Sequence, residues 1–175
     1  SDLPSLTNGN RMFNYCSNLE LFSPDLSSLT DGESMFASCT KLPSFSSDLS
    51  SLTNGCMMFW YCENLTSFAA DLSSLTNGSH MFYECENLTS FAADMSSLTD
   101  GEWMFSGCKL NTASVQHIAD TINTYNARIH VGIGNSKPNE QEKAAFDKMV
   151  SKGWTVYVNG NNPNGDCYDS CCASC

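Results

Sequence analysis

Apolar residues recur at fixed distances along the first two-thirds of the chain, with polar residues at fixed places between them. A Met-Phe pair stands at 12/13, 35/36, 58/59, 81/82 and 104/105, and three residues after each Phe come Cys16, Cys39, Cys62, Cys85 and Cys108. Asp at 2, 25, 48, 71 and 94 and Gly at 9, 32, 55, 78 and 101 keep the same interval, so the unit has 23 residues and occurs five times without a slip in register. A period in the low twenties predicts a solenoid, in which each unit buries its apolar side only by stacking on its neighbours.

One unit, Leu65 to Asn87, shows what each part is expected to do. Leu65 and Phe68 bracket Thr66 and Ser67, which reads as one short strand of a parallel sheet. Asp71 opens the run DLSSL, where it can accept from the following amides and Leu72 and Leu75 turn inward. Thr76-Asn77-Gly78 is a turn signal, with Gly expected to supply the corner's backbone angle. Met81, Phe82 and Cys85 then follow a helical spacing and are expected to point inward from one short turn of helix. The two residues after Gly and the two after Met-Phe are left outside.

The sequences G-x-x-M-F-x-x-C and C-x-x-L-x-x-F, as at Gly78 to Phe91, together with the 23-residue length, resemble the BspA-like, or Treponema-type, leucine-rich repeat of bacterial surface proteins. The resemblance covers about residues 1–110. It departs from the family at Asp25, Asp48, Asp71 and Asp94, where Pro is usual, and in the placing of the aliphatic pair that follows. It implies an α/β fold, a right-handed leucine-rich-repeat solenoid with short parallel strands, extracellular or bacterial cell-surface localisation, and adhesion or partner binding.

Beyond Asn111 the period breaks. Thr112 to Tyr125 predicts an amphipathic helix with Val115, Ile118, Ala119 and Ile122 on one face, and Arg128 to Ile133 a strand. Pro138 to Lys152 predicts a second helix ended by Gly153, and Trp154 to Val158 a last strand. This α-β-α-β order is expected to add two strands to the same sheet with helices outside. The expected organisation is five repeats in residues 1–110, a C-terminal cap of the same solenoid in 111–160, and a Cys-rich tail in 161–175. The start at Ser1-Asp2, partway through a repeat, is read as a piece or mature form of something longer.

Charge narrows the partners. A net charge of −11 with eight Lys and Arg disfavours nucleic acid and anionic membrane, and no apolar run is long enough to span a bilayer. A protein or glycan on a host or neighbouring cell fits better.

The repeat cysteines read as small apolar core residues, with rungs about 5 Å apart that also lie inside disulfide range. Cys56 falls at an outward position and is expected to be an exposed thiol. Cys167, Cys171, Cys172 and Cys175 leave disulfides, a metal or unpaired thiols open. The Asp column (Asp25, Asp48, Asp71, Asp94) could in principle hold cations, but helix capping is the more ordinary reading. His80, His117 and His130 look scattered, and no H-E-x-x-H, phosphate loop or nucleophile elbow is present. No catalytic residue, cofactor or metal is therefore expected.

The outward slots carry the remaining signal. Tyr15, Trp60, Tyr61, His80, Tyr83 and Trp103 fall there, the last five on adjacent rungs. Clustered exposed aromatics are the usual composition of binding hot spots and sugar platforms. These six are the candidate partner-binding residues. The competing surface is the sheet side, lined by Pro43, Ser44, Thr66, Ser67, Thr89 and Ser90. Two other readings stay open: a spacer or stalk presenting an upstream module, and an attachment module of a phage or cell envelope.

Overall fold

The computed structural model describes residues 3–159; the Cys-rich tail lies outside them. The repeats stack one on another, joined along two sides. On one side the L-x-x-F segments form β1 (Ser44–Phe45), β2 (Ser67–Phe68) and β3 (Ser90–Phe91), a parallel sheet in which Phe45, Phe68 and Phe91 share register. On the other side the segments after each Asn/Asp-Gly form a ladder of main-chain hydrogen bonds. Gly55, Met57, Phe59 and Tyr61 donate to the carbonyls of Asn77, Ser79, Met81 and Tyr83 one rung on, and the bonds recur at every repeat.

This ladder side is not the predicted helical turn. Met81, Phe82 and Cys85 do point inward and are fully buried. Their backbone, however, runs through consecutive three-residue turns (Met81 to Gly78 carbonyl, Tyr83 to His80, Cys85 to Phe82), with His80 and Glu84 in the left-handed region at φ 55° and 56°. The same two positions are left-handed in every repeat, from Arg11 and Tyr15 to Trp103 and Gly107. Alternate amides are thereby freed to bond the next repeat, which a helix would have used internally.

Gly is needed for a different reason than the corner angle. Gly9, Gly32, Gly55 and Gly78 do not have positive φ, yet a Cβ on Gly78 would lie 3.0 Å from Met104 Sδ and 3.1 Å from Leu98 Cδ1. Each of these glycines is the seat for the Met of the following repeat. Asp71 Oδ1 accepts from the Ser73 amide at 2.8 Å, and Asp25, Asp48 and Asp94 do the same for their own turns. At Asp25 those bonds from Ser27 hold the carboxyl below its ordinary range.

Between the two sides lies an aromatic zipper. Phe13, Phe36, Phe59, Phe82 and Phe105 stack at 5.5–5.6 Å with planes within 9°. Phe22, Phe45, Phe68 and Phe91 stack at 5.9–6.0 Å, and the two columns meet edge to face. Both geometries are favourable for aromatic pairs. The repeat cysteines do more than fill space. Cys39, Cys62, Cys85 and Cys108 each donate Sγ–H to the carbonyl of the Phe one repeat back, at 3.1–3.2 Å, and all four remain thiols.

The C-terminal segment has the predicted order but a different placement. α1 (Thr112–Thr121) starts where the amphipathic pattern suggested, capped by Asn111, but ends earlier, where Lys152 Nζ donates to the Ala119, Asp120 and Ile122 carbonyls. α2 (Glu140–Ser151) begins with a capping box between Asn139 and Glu142 instead of at Pro138. β5 (Arg128–Ile133) and β6 (Thr155–Val158) do not join β1–β3 as expected. They extend the ladder side: β5 pairs in parallel with β4 (Gly101–Leu110), the fifth repeat's own ladder segment, and β6 pairs in parallel with β5. α1 takes the strand side instead: the Phe91 amide donates to Ser114 Oγ at 2.8 Å, and Ser114 Oγ donates to the Thr89 carbonyl. A helix already bonded within itself can end the β1–β3 sheet without leaving a strand edge open.

Candidate binding surface

The ladder side sets which outward slots are exposed. The amide of the first residue after Gly donates to the Asn or Asp before Gly, which draws a small side chain at that slot inward. Ser79 N bonds Asn77 Oδ1 at 3.0 Å and Cys56 N bonds Asn54 Oδ1 at 3.2 Å. Cys56 and Ser79 are consequently buried. Cys56, at 9% exposure, is not the exposed thiol that its position suggested. Cys16 is exposed at the first rung.

The remaining slots gather the aromatics into one line. Trp60 and Tyr61 meet edge to face at 4.4 Å, Tyr61 and Tyr83 lie 6.0 Å apart at 53°, and Tyr83 and Trp103 at 6.4 Å. His80 lies 5.6 Å from Tyr83 and 6.4 Å from Trp103. Five of the six candidates are thus brought together. Tyr15, 70% exposed, is not: it makes no ring contact with them and stands two rungs away across Ser38.

The line continues into two residues that the repeat pattern did not single out. Trp103 stacks on His130 at 4.2 Å and 15°, and His130 on Tyr157 at 4.4 Å and 11°. Trp103, His130 and Tyr157 are spaced by 27, and His130 and Tyr157 are register partners in β5 and β6. That spacing was the available signal. His80 and His130, which looked scattered, converge on the two sides of Trp103, while His117 lies apart with Nε2 3.1 Å from the Ala93 carbonyl.

The two ends of the line differ in environment. His130 is 2% exposed, and its Nδ1 accepts the Trp103 amide at 2.9 Å, which fixes the proton of the neutral ring on Nε2. Burial, then the charges of His80 and Arg128, push its pKa down to about 4. His80, bonded to Ser79 Oγ at 2.9 Å, is lowered too, mainly by burial. At the other end Trp60 and Tyr83 are half-buried and Tyr61 is 36% exposed. Beside them Glu84 receives a hydrogen bond from Tyr83, while burial and then the Glu86 charge raise its carboxyl above the usual range.

The sheet side offers less. Pro43, Ser44, Thr66, Ser67, Thr89 and Ser90 are all exposed, but the Thr66 and Thr89 hydroxyls are engaged by carbonyls of the preceding repeat. Among the described residues no group of His, Cys, Asp or Glu is placed to hold a metal ion, and no helix is long and apolar enough to cross a membrane.

Short parallel strands and main-chain rungs repeated every 23 residues define a leucine-rich-repeat protein. The model of the BspA type leucine rich repeat region matches residues 7–127 in six copies, and the chain belongs to that family. The family is generally associated with surfaces and adhesion and is typically non-catalytic. No curated protein and no solved structure matches the chain.

Proposed function

We propose that this chain is a non-catalytic binding protein, cell-surface or secreted, that recognises a host or matrix protein or a glycan. In this reading residues 1–110 and 111–160 form one right-handed solenoid, the second part capping the first. The binding face is the aromatic line on the ladder side. The observation that carries the reading is the run of Trp60, Tyr61 and Tyr83 on consecutive rungs, partly exposed and held by a rigid main-chain ladder. Preorganised aromatics of this kind give affinity without an ordering cost at the surface. Trp103 and His80 border the patch, and Tyr15 would be a separate contact. His130 and Tyr157, which continue the stack from Trp103, are buried and serve the joint between the repeats and the C-terminal segment.

The test is an array of matrix proteins and glycans probed with the parent chain and with a Trp60→Ala, Tyr61→Ala, Tyr83→Ala variant. Trp103 is left in place because it packs on buried His130. A ligand bound by the parent and lost by the folded variant is the expected result. A ligand retained by the variant moves the site to the Ser/Thr-lined sheet side. Silence from both favours a spacer that presents another module.

A further inference from the structure

The exposed end of the aromatic line has a chemical bias that narrows its partner. In the Trp103–His130–Tyr157 stack the rings lie face to face, so the faces of His130 are covered on both sides. Trp60, Tyr61 and Tyr83 meet at 73° and 53° instead, which leaves ring face area uncovered on the partly exposed Tyr61. The flank of this patch is acidic. Glu84 follows Tyr61 in one column of the stack, and Glu63 and Glu86 form the next column, which ends at Lys109. Among the described residues none of Glu63, Glu84 and Glu86 takes part in an ion pair, whereas Glu33 and Glu102 on the neighbouring slots are paired with Arg11 and Arg128. Glu84 is held in place: its carboxyl lies over Gly107, where a Cβ would come within 2.7 Å of Cδ and Oε2. Gly107 therefore keeps open the room that carboxyl occupies.

Ring faces beside uncompensated carboxylates form the arrangement that attracts an organic cation, because the ring quadrupole and the carboxylates act with the same sign. Resting on the binding reading above, we propose that the Trp60–Tyr61–Tyr83 patch with Glu84 and Glu86 receives arginine or lysine side chains of a basic segment on a protein partner. The net charge of −11 steers such a segment toward the chain, and the patch supplies the place where it stops.

The experiment is calorimetric titration with an oligo-arginine peptide, with an oligo-lysine peptide as the second cation and oligo-glutamate as the control, at about physiological ionic strength. Four proteins are compared: the parent, Tyr61→Ala with Tyr83→Ala, Glu84→Gln with Glu86→Gln, and Asp71→Asn with Asp94→Asn. The last pair removes the same charge elsewhere and keeps an acceptor for each turn. The expected result is binding of the basic peptides to the parent, weakened at least about tenfold in the aromatic and Glu variants. Less than about a twofold change is expected in the Asp variant. Equal losses in the two charge variants would mean that only net charge is being read, and would overturn the proposal. So would absence of basic-peptide binding to the parent. If an array ligand is meanwhile bound by the parent and lost by the aromatic variant, the binding face stands and only its cation preference falls.

Discussion

The five repeats and the C-terminal segment solve the same problem on one side of the molecule and different problems on the other. On the ladder side each adds a rung to the last: β5 lies on β4 and β6 on β5 as each repeat lies on its predecessor. On the opposite side the repeats place a strand, which needs a neighbour, whereas the C-terminal segment places α1, which does not. The core changes with it. In the repeats it is a zipper of Phe columns; beyond Phe105 the columns give way to a mixed core in which Val115, Ile118, Ile129 and Val131 join Phe146 and Trp154. Uniform stacking is thus confined to the repeats, and the C-terminal segment departs from it on one side only.

The largest expected effect tests the repeat side of this contrast. Phe82 touches Phe59, Phe68, Phe91 and Phe105 and is fully buried. Phe82→Ala should cost about 3–5 kcal/mol in urea unfolding, while Trp60→Ala on the surface should cost far less. Similar losses from both would mean the outward line is part of the core. Next comes the joint to the C-terminal segment. Neutral His130 is favoured by the fold, so the folded pKa of about 4 lies below the ordinary 6.5. Its contribution is then complete above about pH 6.5 and is lost as pH falls toward 4, by up to about 3 kcal/mol. Gln at 130 keeps an acceptor for the Trp103 amide without titrating. Parent and His130→Gln unfolding free energies should therefore diverge at neutral pH and converge in acid. A constant difference across that window would mean His130 is not the group that titrates.

Much of the repeat was legible because its period is exact in sequence: inward Leu, Met, Phe and Cys, the LxxF strands, and the Asp turn caps all follow from it. The path after Gly was not. A helical spacing of Met81, Phe82 and Cys85 is equally served by a chain of turns, and only neighbour-to-neighbour hydrogen bonding selects the second. Nor could Gly be told apart as an angle or a seat, because the contact that decides it comes from Met104, a repeat away. In the C-terminal segment element types were readable but not which side each would extend. The 27-residue spacing of Trp103, His130 and Tyr157 held that information, outside the 23-residue frame. Of the candidate surface, five aromatics were legible as neighbours on adjacent rungs of one side; Tyr15 was read with them, although Ser38 and distance separate it.

A smaller effect concerns the cysteine column, which sequence reads as filler. Cys85 Sγ–H donates to the Phe59 carbonyl, which also accepts the Cys62 amide, so one carbonyl joins two repeats. Burial pushes the Cys85 thiol well up and keeps it a donor. Cys85→Ala should cost about 1 kcal/mol, and Cys85→Ser, which retains a donor, less. If Ser costs more than Ala, packing and not the hydrogen bond is what the column supplies.

The smallest effect bears on why these turns are built from ordinary residues. Ser38 holds φ 59° in the column where Gly107 naturally sits, and a non-glycine residue there is strained by about 1 kcal/mol. Glycine would relieve that strain but adds freedom to the unfolded chain worth about 0.5–1 kcal/mol. Ser38→Gly should therefore be neutral or slightly stabilising in urea unfolding, unlike a glycine placed in a regular strand or helix. A clear loss would show that the Ser38 side chain contributes to the rung. A gain would mean that the repeats carry left-handed strain so that side chains such as Tyr61 and Glu84 can stand on the surface at those positions.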